Sequence, residues 1–232
     1  MTRMRWPYLW ALIVAAGLLA AGSPYVWPPE TDHLPDEKIM DKSAPVKGPA
    51  DARVTIVNFS DFQCDDSQRL ALALEKWMEK YPDDIRLVWM DRPLIKDKGD
   101  GLPFFPFSMT AHRAGVEAHR QGKFWPFYVY VYENQGKIFP LRPDTREGIE
   151  AGEKEVKEKL IIVAKESGLS AEAMKKALDS GEHEDTVMKR REMALALDIT
   201  GTPTVFVNGY NAGSDFARIK WSVEKALSKR LP

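Results

Sequence analysis

At 232 residues, 44% of them apolar, the chain is long enough for one domain, or for one domain with an insertion. A formal net charge of −1 leaves no basic excess to neutralise phosphates, which argues against nucleic acid as a partner. The single cysteine makes an intramolecular disulfide impossible. Such a thiol is either buried and inert or reactive towards another molecule.

Residues 1–22 read as a signal peptide or signal anchor. Arg3 and Arg5 precede an uncharged run from Trp6 to Gly22, which ends in the small residues Ala20, Ala21 and Gly22. The run approaches bilayer-spanning length, and its leading positive charge would keep the N-terminus cytoplasmic. Both readings put the rest of the chain outside the cytoplasm, with membrane contact only through this segment if it is uncleaved. Residues 23–50 carry Pro24, Pro28, Pro29, Pro35, Pro45 and Pro49 among mixed charges, which suits an extended tether.

From residue 51 to 232 the pattern is that of an α/β domain. VTIVNF (54–59) is a short buried strand. Leu70, Leu74, Trp77, Met78 and Tyr81 then fall on one face of a helix. IRLVWM (85–90) is a second strand, so the unit is βαβ and its strands should be parallel. Residues from about 97 to 198 look mostly helical, although FWPFYVYVYEN fits helix or strand. TVFV (204–207), an Asn208-Gly209 type I′ turn and YNA form a hairpin. A last amphipathic helix follows, with Ser214 as its expected N-cap. The order is βαβ, a helical block, then ββα.

Two stretches carry chemical content. FQCDDS (62–67) places Cys64 at the strand–helix junction, where unpaired N–H groups and the helix dipole favour a thiolate. Asp65 and Asp66 oppose that by like charge, though acidic residues also suit the first turn of any helix. ITGTPTVFV (199–207) breaks the chain with Gly201 and Pro203 just before a strand, a candidate cis peptide. The four histidines form no metal set. His112 and His119 are too far apart on one helix for a ligand pair, and structural or solvent-facing roles are expected of them.

Taken together, FSDFQCDDS after the first strand, HRQGKFWPFYVYVYENQ in the helical block and TGTPTVFVNG before the hairpin resemble the DsbA-like branch of the thioredoxin superfamily. The resemblance covers roughly residues 45–230 and implies a thioredoxin fold with a helical insertion. It also implies that Cys64 is the nucleophile, and that Thr202 and Pro203 form the cis-proline loop that offers backbone to an extended or disulfide-bearing polypeptide. Ser67 stands where that family has its resolving cysteine, so the motif is CxxS.

A CxxS site can attack a substrate disulfide, but something else must release the mixed disulfide. A substrate thiol would give isomerisation. A redox partner or a small thiol such as glutathione, acting as co-substrate, would give reduction. Net oxidation through an internal disulfide is excluded, and no other cofactor is expected. Ser67 is expected to donate a hydrogen bond towards the Cys64 sulfur. The expected activity is monothiol disulfide exchange in an extracytoplasmic, periplasm-like compartment. One alternative is a non-catalytic, chaperone-like polypeptide binder. Another is a glutathione-handling enzyme of the kappa-transferase type, in which the catalytic serine aligns with Cys64 rather than with Ser67.

Overall fold

The computed structural model describes residues 25–26, 32–95 and 101–228. The leader expected at 1–22 lies outside them. Among the described residues, no helix is long and apolar enough to cross a membrane.

Five strands form one sheet: β1 (Val46–Lys47), β2 (Val54–Ser60), β3 (Ile85–Asp91), β4 (Thr204–Val207) and β5 (Tyr210–Gly213). Their order across the sheet is β1-β3-β2-β4-β5. β2 and β3 run parallel, with Val54 opposite Ile85 and Ser60 opposite Asp91. The helix between them, α2 (Asp65–Lys80), buries Leu70, Leu74 and Met78 on the sheet and Ala71 against the helical insertion. β4 lies antiparallel to β2 and closes a hairpin with β5. In the turn Asn208 has φ 47° and Gly209 φ 78°, the pair of positive values that a type I′ turn needs. Helix α9 (Phe216–Ser228) packs Ile219, Val223 and Ala226 on the same face of the sheet as α2. Its cap is Asp215 rather than Ser214, because Asp215 Oδ1 accepts the Arg218 N–H at 2.8 Å.

The tether expectation fails for residues 36–50. Helix α1 (Asp36–Ile39) and β1 belong to the fold, and β1 pairs antiparallel with β3. Ile39 and Ala44 are buried in a cluster with Val57, Phe59, Val88 and Met90. A one-turn helix and a two-residue strand are too short to show a period, so the prolines and charges masked them.

The helical insertion between β3 and β4 contains α3 (Ser108–Arg120), α4 (Phe124–Glu133), α5 (Gln135–Ile138), α6 (Arg146–Glu166), α7 (Ala171–Ser180) and α8 (Glu184–Ala196). The ambiguous FWPFYVYVYE is helix α4. It buries Phe124, Phe127, Tyr128, Val131 and Tyr132, which fall at i, i+3, i+4, i+7 and i+8. Pro126 sits in its first turn, where a missing N–H removes no intrahelical bond. These aromatic rings, with Phe62 and Trp89 from the sheet half, make the core that joins the two halves.

Candidate functional site

Cys64 is the N-cap residue of α2, in extended backbone geometry, and makes no side-chain capping bond. Strand β2 ends at Ser60, and the Cys64 N–H closes a turn on the Asp61 carbonyl at 3.2 Å. The residue is 6% exposed. Its thiol donates to the Thr202 carbonyl at 3.3 Å, across 138 residues of sequence. The Thr202–Pro203 bond is cis. Thr204 Oγ1 donates back to the Gly201 carbonyl at 3.0 Å, and Arg92 Nε donates to the Ile199 carbonyl at 2.9 Å. The segment leading into β4 is thereby held against the β3 end of the sheet.

The remaining sequence-predicted residues fall on the first turn of α2. Asp65 and Asp66 are exposed. Asp66 pairs with Arg69, one turn along, whereas Asp65 has no side-chain hydrogen bond or ion pair among the described residues. Ser67 is fully buried. Its Oγ accepts the Asp61 N–H at 3.4 Å, so the hydroxyl is engaged with the turn beneath the cysteine. The expected Ser67 donation to the Cys64 sulfur is not among the hydrogen bonds formed. One turn of helix carries Ser67 to the inner face of α2, while the sulfur faces the cis-proline loop.

Several residues that fix this turn escaped the sequence reading. Asp61 is the chief of them, and it is fully buried. Its Oδ1 accepts the Gln63 N–H at 2.8 Å, and its Oδ2 accepts the Leu94 N–H and the Ser108 hydroxyl, both at 2.7 Å. One carboxylate thus ties the Cys64 turn to the loop after β3 and to the start of α3. Gln135 Nε2 donates to the Phe62 carbonyl at 2.9 Å and to the Cys64 carbonyl at 3.1 Å. The Tyr132 hydroxyl donates to the Asp61 carbonyl at 3.2 Å, and Gln68 Nε2 donates to the Tyr132 carbonyl at 2.6 Å. Burial pushes the Tyr132 phenol well above its ordinary range, so it stays a neutral donor. Asp61 was legible as a buried acid only if the FSD segment had been recognised as a strand end turning inward. Gln135 lies 71 residues from Cys64 and carried no local signal.

A second buried polar group lies behind the site. The Asp91 carboxylate accepts from His112 Nδ1 at 2.6 Å, Arg190 Nη1 at 2.5 Å and Trp89 Nε1 at 3.2 Å. Burial opposes its charge, but the hydrogen bond from His112 and the charge of Arg190 outweigh that and hold the carboxyl down at about 2. His112 is thus buried and bonded to Asp91. Its Nε2 faces Asp61 Oδ1 at 3.8 Å, so the two buried carboxylates approach one ring. Arg190 Nη2 continues to the Ser43 carbonyl at 2.7 Å, which pins the N-terminal segment. Among the described residues, no group of three His, Cys, Asp or Glu side chains is arranged to hold a metal ion.

Residues 41–225 match the sequence profile of a family described as thioredoxin. The chain is 31% identical over 189 residues to a "probable disulfide bond formation protein D" of Bacillus cereus, covering 78% of each chain. Among solved structures it is similar to oxidised BdbD from Bacillus subtilis, with TM-score 0.60 and 24% identity over 81% of this chain and 95% of that one. A protein-disulfide isomerase from Novosphingobium aromaticivorans superposes with TM-score 0.64 at 14% identity, over 81% of this chain and 98% of that one. Both structural likenesses speak to the fold.

Proposed function

We propose, because the chain belongs to the DsbA-like branch of the thioredoxin superfamily, that it carries out thiol–disulfide exchange on polypeptide substrates through Cys64 as a monothiol. The observation that carries the proposal is the contact between Cys64 Sγ and the Thr202 carbonyl. It joins the thiol of the residue that opens α2 to a cis-proline segment just ahead of β4, where an extended substrate can pair with backbone.

Cys64 loses its proton to solvent and attacks one sulfur of a substrate disulfide. A new S–S bond to Cys64 forms, and the other substrate sulfur leaves as a thiolate. The chain has no second cysteine to release this mixed disulfide. Release falls to a second substrate thiol, which completes an isomerisation with no net change of electrons. Alternatively one glutathione thiolate attacks the Cys64 sulfur and releases the substrate as a dithiol, and a second glutathione attacks the resulting Cys64–glutathione disulfide, freeing Cys64 and leaving as glutathione disulfide. Glutathione is here a co-substrate. Ser67, held by the Asp61 N–H, shapes the turn rather than resolving the bond. Exchange of this kind suits a compartment outside the cytoplasm, where substrate disulfides persist.

A refolding assay on scrambled, disulfide-bonded ribonuclease, joined to iodoacetamide labelling of Cys64 across pH, tests this reading. The full chain should accelerate recovery in the presence of glutathione, and Cys64→Ser should abolish the gain. A thiol that alkylates no faster than free cysteine, with no gain in refolding, would overturn it. The second reading, a non-catalytic polypeptide binder, draws on the small exposure of Cys64 and predicts that same result. A Ser67→Cys variant that gains dithiol oxidase activity would show that the rest of the site supports exchange.

A further inference from the structure

A buried ring nitrogen behind the Cys64 turn has no partner. His112 is fully buried on α3, and its Nε2 makes no hydrogen bond among the described residues. Its Nδ1 lies 2.6 Å from Asp91 Oδ1. The Asp91 carboxyl is held at about 2 and stays ionised, so it only accepts, and Nδ1 carries the proton. Nε2 then presents a lone pair or carries a second proton. It faces Asp61 Oδ1 at 3.8 Å, a gap too long for a hydrogen bond, as a lone pair opposite a carboxylate oxygen requires.

Asp61 is incomplete on the same side. A carboxylate offers about four acceptor positions. The Gln63 N–H takes one on Oδ1, and the Leu94 N–H and the Ser108 hydroxyl bond to Oδ2. The remaining position is on Oδ1, the oxygen that His112 faces. That oxygen holds Gln63, the residue before Cys64, and the Asp61 carbonyl holds the Cys64 N–H. The negative charges of Asp61 and of a Cys64 thiolate both act on the Tyr132 hydroxyl, so the two share one electrostatic neighbourhood. A single proton on Nε2 completes the ring and the carboxylate together.

We propose that His112 is a positioning residue for Cys64, a latch that acts through Asp61 and is worked by a proton on Nε2. Without that proton the 3.8 Å gap stays open. With it, Nε2–H closes on Asp61 Oδ1, and the positive ring offsets the carboxylate beneath the sulfur. The Cys64 thiolate is then favoured, because the nearby like charge is compensated. Asp61 from the turn and Asp91 from β3 favour the proton. Arg190 from α8 opposes it across Asp91, and Arg92, just after β3, acts on Asp61. Tyr132 from α4 donates to the Asp61 carbonyl and stays neutral. His119, on the same helix as His112, is also reached by Arg190 and Asp91. The latch rests on the exchange reading for its use, since a thiolate attacks the substrate disulfide, but its geometry stands apart from that reading.

Alkylation of Cys64 by iodoacetamide in the full chain, timed across pH, tests this without any disulfide substrate. Below its own titration a lone thiol gains about tenfold in rate per pH unit, because only the thiolate reacts. Where His112 loses its proton, part of that gain should be cancelled, and the profile should bend into a shoulder. His112→Gln keeps a donor in the pocket but takes no proton, and its profile should be straight. On the acid side of the shoulder the parent should react about threefold faster than His112→Gln, and on the alkaline side the two should agree. His119→Gln should keep the shoulder, and so should His33→Gln, whose ring meets Tyr210 instead. A purely structural His112 would change urea stability and leave the parent profile straight. A straight parent profile overturns the proposal, as does a shoulder that survives His112→Gln or vanishes in His119→Gln.

Should His112→Gln fail to fold, the parent chain decides. The ring signal of His112 in proton–nitrogen NMR should change over the pH range of the shoulder, and a signal constant through that range overturns the latch. Recovery of scrambled ribonuclease, measured alongside, keeps the two readings apart. A shoulder without refolding activity sinks the exchange reading and leaves the latch, whereas activity with a straight profile does the reverse.

Discussion

The sheet half and the helical insertion hold Cys64 by different means. The sheet half supplies backbone: the Thr202 carbonyl receives the thiol, and the Asp61 carbonyl closes the turn. The insertion supplies side chains: Ser108 on the Asp61 carboxylate, Tyr132 on the Asp61 carbonyl and Gln135 on the carbonyls of Phe62 and Cys64. The difference teaches that the insertion is the frame of the cysteine turn as well as a cover over the sheet. Without it the Phe62 carbonyl would lose its side-chain partner, and the Asp61 carboxylate and the Asp61 and Cys64 carbonyls would each lose one of several.

Removing the ring that joins the halves should break this division most severely. Phe62 is fully buried and touches Trp89, His112, Phe124, Phe127 and Tyr132. Phe62→Ala should cost about 4 kcal/mol in urea unfolding and soften both halves together. Separate transitions for sheet and insertion would show that the halves are stable independently.

Asp91→Asn comes next, at about 3 kcal/mol, because it leaves Arg190 buried without its counter-charge. The same carboxylate sets an acid limb. Its folded value near 2 lies below the unfolded one near 4, so its contribution is whole above pH 4 and is lost as pH falls towards 2. The loss should be about 2 kcal/mol, and the Asp91→Asn variant should show a shallower limb over that window. Equal limbs in both chains would assign the acid transition to other groups.

Gln135→Ala sharpens the comparison most finely. It removes two side-chain bonds from the turn and should cost about 1–2 kcal/mol in stability. It should also change the rate of Cys64 alkylation, whereas Gln121→Ala, whose side chain serves Ser170 and Glu117 far along α3, should not. Alkylation rates that match the parent in both variants would remove the insertion from control of the thiol.

Much of the fold was legible in the residues. The period changes at VTIVNF, at Leu70 to Tyr81 and at IRLVWM placed β2, α2 and β3, because each element buries one face and its spacing records that. Asn208-Gly209 announced the hairpin because few residues accept positive φ. The segment 36–50 was misread, since short elements borrow their stability from tertiary contacts with β3 and leave no period behind. Helix α4 was ambiguous because a helix with so many apolar residues around it reads equally well as a strand.

At the site, the sequence by itself determined the chemistry available: one thiol, no resolving cysteine, acidic residues at a helix start and a GTP segment before a strand. Those are covalent and local facts. The surroundings of the sulfur come from packing across the chain. That packing turned Ser67 inward to the Asp61 N–H, set Thr202 against Cys64 and brought Asp61, Tyr132 and Gln135 under one turn. Contacts across 71 and 138 residues depend on how the insertion packs on the sheet, and no local spacing encodes that.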